Sequence, residues 1–350
     1  MIPVFTIGLP EIVAAAIIVA LTGYALTGGA DYGGGVWDLL AIGPRRDEQR
    51  RLIADSIGPI WEANHVWLIV AVVVLFTGFP AAFGVLGTVL HVPLTILLVG
   101  IVLRGSAFVF RSYGRAERRI VERWGLVFSI ASVVTPLCFG IAIGAISSDA
   151  VGRAASNVAT MSYSSVYIAP WAALYAMTVG VFALALFAML AAVYLAHAAT
   201  EPALREDFRR RALVAVVVVA IVGAVVLATS ESSAPRVAHG VTASSWAFVL
   251  HACTGVATIA VVAALWLRRY HVARVAAAAQ VTFVIWGWAL AQYPFIIPPT
   301  LTIRNAAAPA ATLELLIAGL VGGALILIPS LGFLFKTFAS APATGAGSTH

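Results

Sequence analysis

Long apolar segments with almost no charged residues constrain the fold of this chain more than any other feature. A membrane-spanning helix needs about 20 consecutive apolar residues, and residues 212–229 and 246–267 are close to that length without an acid, lysine or arginine. Hydrophobic residues make up 61% of the chain and charged residues 10%, against about 45–50% and about 25% in soluble domains. Only helices and closed barrels satisfy all backbone groups in lipid, and these runs are too long and uniform for barrel strands. The composition therefore predicts an all-α polytopic membrane protein.

We predict nine transmembrane helices, with edges defined to within a few residues. Their ranges are 8–29, 62–79, 85–106, 125–146, 167–196, 212–229, 246–267, 275–293 and 312–335. Together they form one integral membrane domain over residues 1–338, predicted as two four-helix bundles (1–146 and 167–293) and a ninth helix. No letter-by-letter repeat relates the two halves, so a duplicated bundle stays a hypothesis. The small, polar segment 339–350 is predicted to be a disordered tail.

The basic residues predict the orientation of the nine helices. Seventeen of the 21 lysines and arginines fall on one side: Arg45, Arg46, Arg50, Arg51, Arg111, Arg115, Arg118, Arg119, Arg123, Arg205, Arg209, Arg210, Arg211, Arg268, Arg269, Arg274 and Lys336. Because such residues are retained on the cytoplasmic side, the N-terminus is predicted outside and the C-terminus in the cytoplasm. The same clusters account for the pI near 9.7. Because membrane orientation explains these basic residues, we do not expect nucleic acid as a partner.

Five polar residues are predicted to meet at one level of the membrane. Asp31 follows span one, Glu62, Asn64 and His65 begin span two, and Arg104 lies near the end of span three. Ionisable groups at bilayer depth are costly and usually face a bundle interior or a water-filled path. They predict either a proton or ion path through the carboxylates and the histidine, or an ion pair of Arg104 with an acid that ties three helix ends together.

Metal and heme sites are poorly supported by the pattern. Glu62 and His65 have the Glu-x-x-His spacing of di-iron bundles, but no second copy of that motif occurs. Among the candidate heme ligands, only His91 and His251 share a predicted level, near the outside. We therefore expect no metal and no directly bound cofactor in this chain.

The glycine-rich stretch GGADYGGG, residues 28–35, does not have the features of a phosphate loop. It lacks the Lys-Ser/Thr ending and the preceding strand of a nucleotide site. We expect it to let the chain leave span one tightly and to re-enter the interface as the amphipathic stretch VWDLLAIG, residues 36–43.

Four motifs resemble those of a known family, subunit II of cytochrome bd-type quinol oxidases. They are GADYGGGVWDLL at 29–40, RRLIADSIGPIWEANHVWLI at 50–69, LRGSAFVFRSYG at 103–114 and YPFIIPPTLTIRNAAAP at 293–309. The resemblance extends over nearly the whole chain, and the second motif is the most specific.

The resemblance implies a role in a larger complex of the bacterial inner membrane. The partner, subunit I, would carry two b-type hemes and one d-type heme, oxidise quinol and reduce dioxygen to water with cytoplasmic protons. Subunit II would bind no heme. Some members of the family hold a quinone as a structural element. Whether small single-span accessory subunits belong to the complex stays open.

Residue by residue, the resemblance places Glu62 in a proton pathway at the interface with subunit I. We group Asn64 and His65 with it, and expect structural or supporting roles for Asp31, Arg104 and Trp61. The alternative from a different class is a secondary transporter of small solutes, which the intramembrane charges and Gly/Pro interruptions would also suit.

Overall fold

The computed structural model of the protein describes residues 7–57, 61–113 and 118–340. Within these ranges the chain forms fifteen α-helices and one short antiparallel hairpin. The helices are α1 (Leu9–Leu39), α2 (Arg46–Ile57), α3 (Trp61–Gly78), α4 (Pro80–Val89), α5 (His91–Tyr113), α6 (Arg118–Ser147), α7 (Ala150–Ser156), α8 (Tyr163–Tyr167), α9 (Ala169–Ala172), α10 (Leu174–Ala198), α11 (Pro202–Ser233), α12 (Pro235–Ala243), α13 (Ala247–Trp266), α14 (Tyr270–Gln292) and α15 (Ala310–Ser340). The hairpin strands are β1 (Phe295–Ile297) and β2 (Leu301–Thr302).

Eight helices in the described part of the chain are long and apolar enough to cross a membrane. The pair α3–α4 makes a ninth span if it is counted as one, although it is bent by 115°. The bend lies where Pro80 begins α4, since proline has no N–H with which to continue the bonding of α3. Because residues 80–89 form this separate helix, the third span begins at His91 and not near residue 85 as predicted. The protein is thus an all-α, multi-pass membrane protein.

The glycine-rich stretch does not end the first span, and that prediction is wrong. α1 continues through residues 28–35 to Leu39, and its glycines there are buried. A Cβ at Gly33 would lie 2.0 Å from the carbonyl oxygen of Phe187 on α10, so only glycine permits this close approach. The packing outweighs the roughly 1 kcal/mol that each glycine costs in a helix. Residues 36–39, predicted to re-enter the interface, belong to α1.

The basic and the neutral connections lie at opposite ends of the molecule. At the arginine-rich end, Arg45 binds Asp207 at the start of α11 with an N–O distance of 2.6 Å. At the other end, Arg304 after the hairpin binds Glu11 at the start of α1 at 2.7 Å. This segregation agrees with the alternating charge pattern, while the orientation in the membrane stays a prediction.

Helix α10 lies at the centre of the main core. It packs against α1, α6 and α11, and the indole N–H of Trp37 on α1 donates to its Ala188 carbonyl at 2.8 Å. α10 begins at Leu174 and not at residue 167 as predicted, because the chain first forms the short helices α8 and α9. The division into two bundles stays a prediction.

The C-terminal part of the chain packs against α1 and α3. The amide of Ala308 donates to the carbonyl of Gly78 at the end of α3, at 2.8 Å, and α15 contacts α1 and α3. The predicted tail begins at 339, but α15 ends at Ser340. Residues 341–350 lie outside the described part of the chain.

The contact between α1 and α10 gives a first test of the fold. We expect Gly33→Ala to lower the free energy of unfolding by about 1–3 kcal/mol or more, because overpacking forces two backbones apart. Thermal unfolding of the detergent-purified chain measures this. The matched control is Gly84→Ala on α4, where an added Cβ meets no atom within 4 Å. Equal stability of both variants would contradict the packing described for α1.

Candidate functional site

Asp31 and Arg104 form a buried ion pair between α1 and α5. Their side chains are 0% and 3% exposed. The Nη1 of Arg104 donates to Oδ2 of Asp31 at 2.6 Å, Nη2 donates to Oδ1, and Nη2 also reaches the Asp31 carbonyl at 3.0 Å. Both carboxylate oxygens are thus engaged by one guanidinium, the geometry that binds a carboxylate most strongly.

The remaining surface of the Arg104 guanidinium is also covered. Its Nε donates to Oγ of Ser132 on α6 at 2.9 Å, and that hydroxyl donates to the Phe128 carbonyl. The rings of Tyr32 and Phe128 each lie 4.7 Å from the guanidinium carbon, a distance that suits cation–π contact. Two charges far from water are stable only in such a fully bonded setting. Asp31 and Arg104 are therefore held together by contacts that cover the whole guanidinium.

Asn64 joins α3 to this pair. Its Nδ2 donates to Oδ2 of Asp31 at 3.5 Å, and its Oδ1 accepts from the Thr27 hydroxyl at 3.4 Å. The side chain is completely buried, and Gly28 allows its close approach, since a Cβ there would lie 2.8 Å from Oδ1. The structure thus brings together Asp31, Arg104 and Asn64 from three spans.

The other predicted site residues on α3 are placed only in part. His65 follows Asn64 and is half-buried. Trp61 and Glu62 lie in the first turn of α3, and their side chains lie outside the described part of the chain. Arg104 lies nine residues before the end of α5, deeper than the predicted two residues, because α5 continues past residue 106.

Sequence reasoning missed a second buried acid, Asp38. Its side chain is 1% exposed, accepts a hydrogen bond from Ser129 of α6 at 2.9 Å and lies 3.8 Å from Nε of Arg50 on α2. Asp38 follows Asp31 by seven residues, or about two helical turns, so both lie on the same face of α1. Ser129 and Ser132 lie three residues apart and therefore on one face of α6. This polar face could have indicated that α1 continues beside it and buries Asp38.

Helix α2, which leads into α3, is fixed by its own polar network. Arg45 binds Asp207 through Nε at 2.9 Å and Nη2 at 2.6 Å. The amide of Gln49 donates to Asp207 at 3.0 Å and accepts from Arg211 at 2.8 Å. Arg50 also donates to the Asp38 carbonyl at 3.3 Å. α2 is thus attached to the ends of both α1 and α11.

Four of the histidines contact backbone carbonyls or one another. His91 is hydrogen-bonded with the Thr88 carbonyl at 2.9 Å, and Nε2 of His251 with the Val241 carbonyl at 2.8 Å. His197 instead lies against His271, with ring centroids 5.8 Å apart. Among the described residues, no three His, Cys, Asp or Glu side chains are close enough to hold a metal ion.

An apolar cavity of about 390 Å³ lies beside α10. Its walls come from α1, α6 and α10 to α14. Its few polar groups are already bonded: the indole N–H of Trp288 donates to the Ser147 hydroxyl at 2.7 Å, and that hydroxyl donates to the Ile143 carbonyl. Such walls suit a hydrocarbon chain better than a polar ligand.

Comparison with known proteins gives a consistent result. The sequence model of the family described as cytochrome bd terminal oxidase subunit II matches residues 9–338. Cytochrome bd-I ubiquinol oxidase subunit 2 of Escherichia coli (strain K12) is 35% identical over 127 residues, which are 36% of this chain and 32% of that protein. This similarity spans only about a third of the relative's length.

Two further similarities cover nearly the whole chain. A Bacillus subtilis (strain 168) relative, whose name of cytochrome bd menaquinol oxidase subunit II is provisional, is 23% identical over 329 residues, 90% of this chain and 91% of its own. The structure of bd oxidase from Geobacillus thermodenitrificans has a chain with a TM-score of 0.78 and 21% identity, covering 94% of this chain and 98% of that one. The latter shows a common fold. With a family match that extends from α1 into the last turn of α15, this chain belongs to the cytochrome bd terminal oxidase subunit II family.

Proposed function

We propose that this chain is the non-heme subunit II of a quinol oxidase in a bacterial inner membrane. Its partner would be subunit I, which carries two b-type hemes and one d-type heme and couples quinol oxidation to the reduction of dioxygen to water. The observation that carries the proposal is the family match over residues 9–338. This chain supports subunit I and is not itself catalytic.

We propose further that Glu62 takes up protons from the cytoplasmic side for the hemes of subunit I. Asp31 is a poor candidate, because protonating it would leave the buried Arg104 without its counter-charge. At 100° per residue, position 62 lies about 200° around α3 from Asn64. Since Asn64 contacts α1, position 62 belongs to the opposite face, where a partner subunit can pack.

Two neighbours on α3 complete the proposed path. His65 is proposed as a relay residue, since histidines inside membrane spans commonly belong to proton relays. Asn64 does not titrate, and its bonds to Thr27 and Asp31 fix the rotation of α3. Asp31 and Arg104 support this arrangement from α1 and α5, and Trp61 is proposed to anchor the start of α3 at the interface.

The apolar cavity beside α10 is the proposed site of a structural quinone. Its volume of about 390 Å³ and hydrogen-bonded polar groups favour an isoprenoid chain, which needs no polar partner. The family match does not favour the secondary transporter, which would act without a partner.

Affinity purification of the tagged chain from mild detergent tests the proposal. We expect a second, larger membrane protein to accompany it, with the absorbance of b- and d-type hemes. Organic extraction of the same sample should release a quinone. A chain that purifies alone, from cells that also contain a heme-bearing subunit I, would contradict the assignment, and a complex without extractable quinone would contradict only the proposed cavity ligand.

A further inference from the structure

Four basic side chains converge where α10 ends and α14 begins, at the arginine-rich end. His197 lies in the last turn of α10, and its ring is 5.8 Å from that of His271. Arg274 follows His271 by three residues and therefore lies on the same face of α14. Arg274 and Arg205 both lie within electrostatic reach of the His197 ring. We call these four residues the basic cluster.

The Arg205 side chain is held in place by two of its three guanidinium nitrogens. Its Nε and Nη2 donate to the Ala199 carbonyl at 3.0 and 2.6 Å, and its guanidinium carbon lies 5.4 Å from the centroid of the Tyr270 ring. The third nitrogen, Nη1, has no hydrogen-bond partner in the described part of the chain. A fixed guanidinium with an open N–H edge is suited to bind phosphate oxygens.

The basic cluster differs from its surroundings in charge balance. Five other arginines at this end are paired with acids: Arg45 with Asp207, Arg50 with Asp38, and Arg209, Arg210 and Arg268 with Glu206. Arg211 instead donates to the side chain of Gln49. Over residues 7–57, 61–113 and 118–340, no carboxylate lies within ion-pair distance of the basic cluster. The basic cluster is thus set apart from the arginines that have an acidic partner.

The position of the basic cluster at the end of a spanning helix indicates which kind of anion it would bind. The spanning helix α10 ends at Ala198, one residue after His197, and Tyr194 lies one turn further into the span. The cluster thus lies at the level where lipid headgroups meet the protein, and basic pockets between spanning helices are suited to anionic headgroups. We propose that the basic cluster binds the phosphate of an anionic phospholipid such as phosphatidylglycerol. This inference depends only on the membrane-spanning fold and not on the proposed oxidase function.

Lipid titration of the delipidated full-length protein, purified with any subunits that accompany it, tests the proposal by native mass spectrometry. Removing one arginine from a membrane surface weakens binding of an anionic lipid about fivefold. We expect Arg274→Gln to weaken phosphatidylglycerol binding by about this factor, and Arg274→Lys to restore most of the affinity. The control is Arg210→Gln, which removes the same charge from the same end but from a residue paired with Glu206. It should bind like the unchanged protein.

Three outcomes would overturn the proposal. The first is an equal loss of binding in Arg274→Gln and Arg210→Gln, which would mean a diffuse surface charge. The second is equal binding of phosphatidylcholine and phosphatidylglycerol by the unchanged protein. The third is displacement of phosphatidylglycerol by millimolar inorganic phosphate, which would indicate a site for soluble anions.

Discussion

Asp31→Asn is expected to lower the unfolding temperature of the purified chain by an amount on the order of 10 °C. The change leaves the charge of Arg104 buried without a counter-ion, and breaking a buried pair in this way costs about 3–5 kcal/mol. We expect a similar loss for Arg104→Gln. Thermal unfolding in detergent, followed by the loss of monodisperse protein, measures both variants.

Two controls separate this effect from a general loss of charge. Asp149→Asn removes an acid whose side chain is 31% exposed and paired with Arg153 and Arg236, and such exposed pairs contribute about 0–1 kcal/mol. The double variant Asp31→Asn with Arg104→Gln removes both buried charges and should recover a large part of the lost stability. Single variants no less stable than Asp149→Asn would show that the buried pair does not hold α1 and α5 together.

Glu62→Gln is expected to slow quinol-driven oxygen consumption by at least about tenfold while leaving heme content unchanged. Glutamine preserves the shape of the side chain but cannot accept and release a proton, and a positioned proton carrier contributes about a hundredfold or more to a rate. Oxygen consumption at saturating quinol, normalised to heme absorbance in the purified complex, measures the change.

Glu48→Gln is the matched control for Glu62. Glu48 is an exposed acid of α2 at the same end of the chain, so its loss changes net charge equally without interrupting the proposed path. Glu62→Asp keeps a carboxylate and should retain part of the activity. Unchanged turnover in Glu62→Gln would mean that Glu62 has no role in proton uptake. Loss of hemes would mean that Glu62 is needed for assembly of the complex.

The class of fold could be predicted from the sequence, and so could the residues that form the central ion pair. Apolar length identified the spans, but both edges were correct to within a few residues only for the second and the seventh, because helices such as α1 and α11 continue well beyond their apolar segments. The contacts of Arg45 with Asp207 and of Arg304 with Glu11 agree with the two ends that the arginine pattern predicts. Asp31, Arg104 and Asn64 could be grouped because each was predicted near the end of a span, and the ends of neighbouring spans return to one side of the membrane. The grouping is correct although α1 and α5 continue beyond Asp31 and Arg104.

Rotation of each helix about its axis could not be predicted in the same way. α1 and α3 are apolar on nearly all faces, so their sequences do not indicate which face meets α6 or α10. The link from Asp38 to Ser129 depends on that rotation. The length of α1 was missed for a related reason: glycine weakens an isolated helix, and only the neighbouring α10 turns residues 28–35 into a packing surface.

The distance along the chain between Asp31 and Arg104 has a consequence for biosynthesis. Seventy-three residues separate them, and at about 5–20 residues per second the ribosome needs roughly 4–15 seconds to deliver the arginine after the aspartate. Until then, an aspartate deep in α1 would oppose insertion by up to about 2.5–3.5 kcal/mol. We therefore expect the nascent first helix to reach its final position in the bilayer only after α5 has emerged and Arg104 can pair with Asp31.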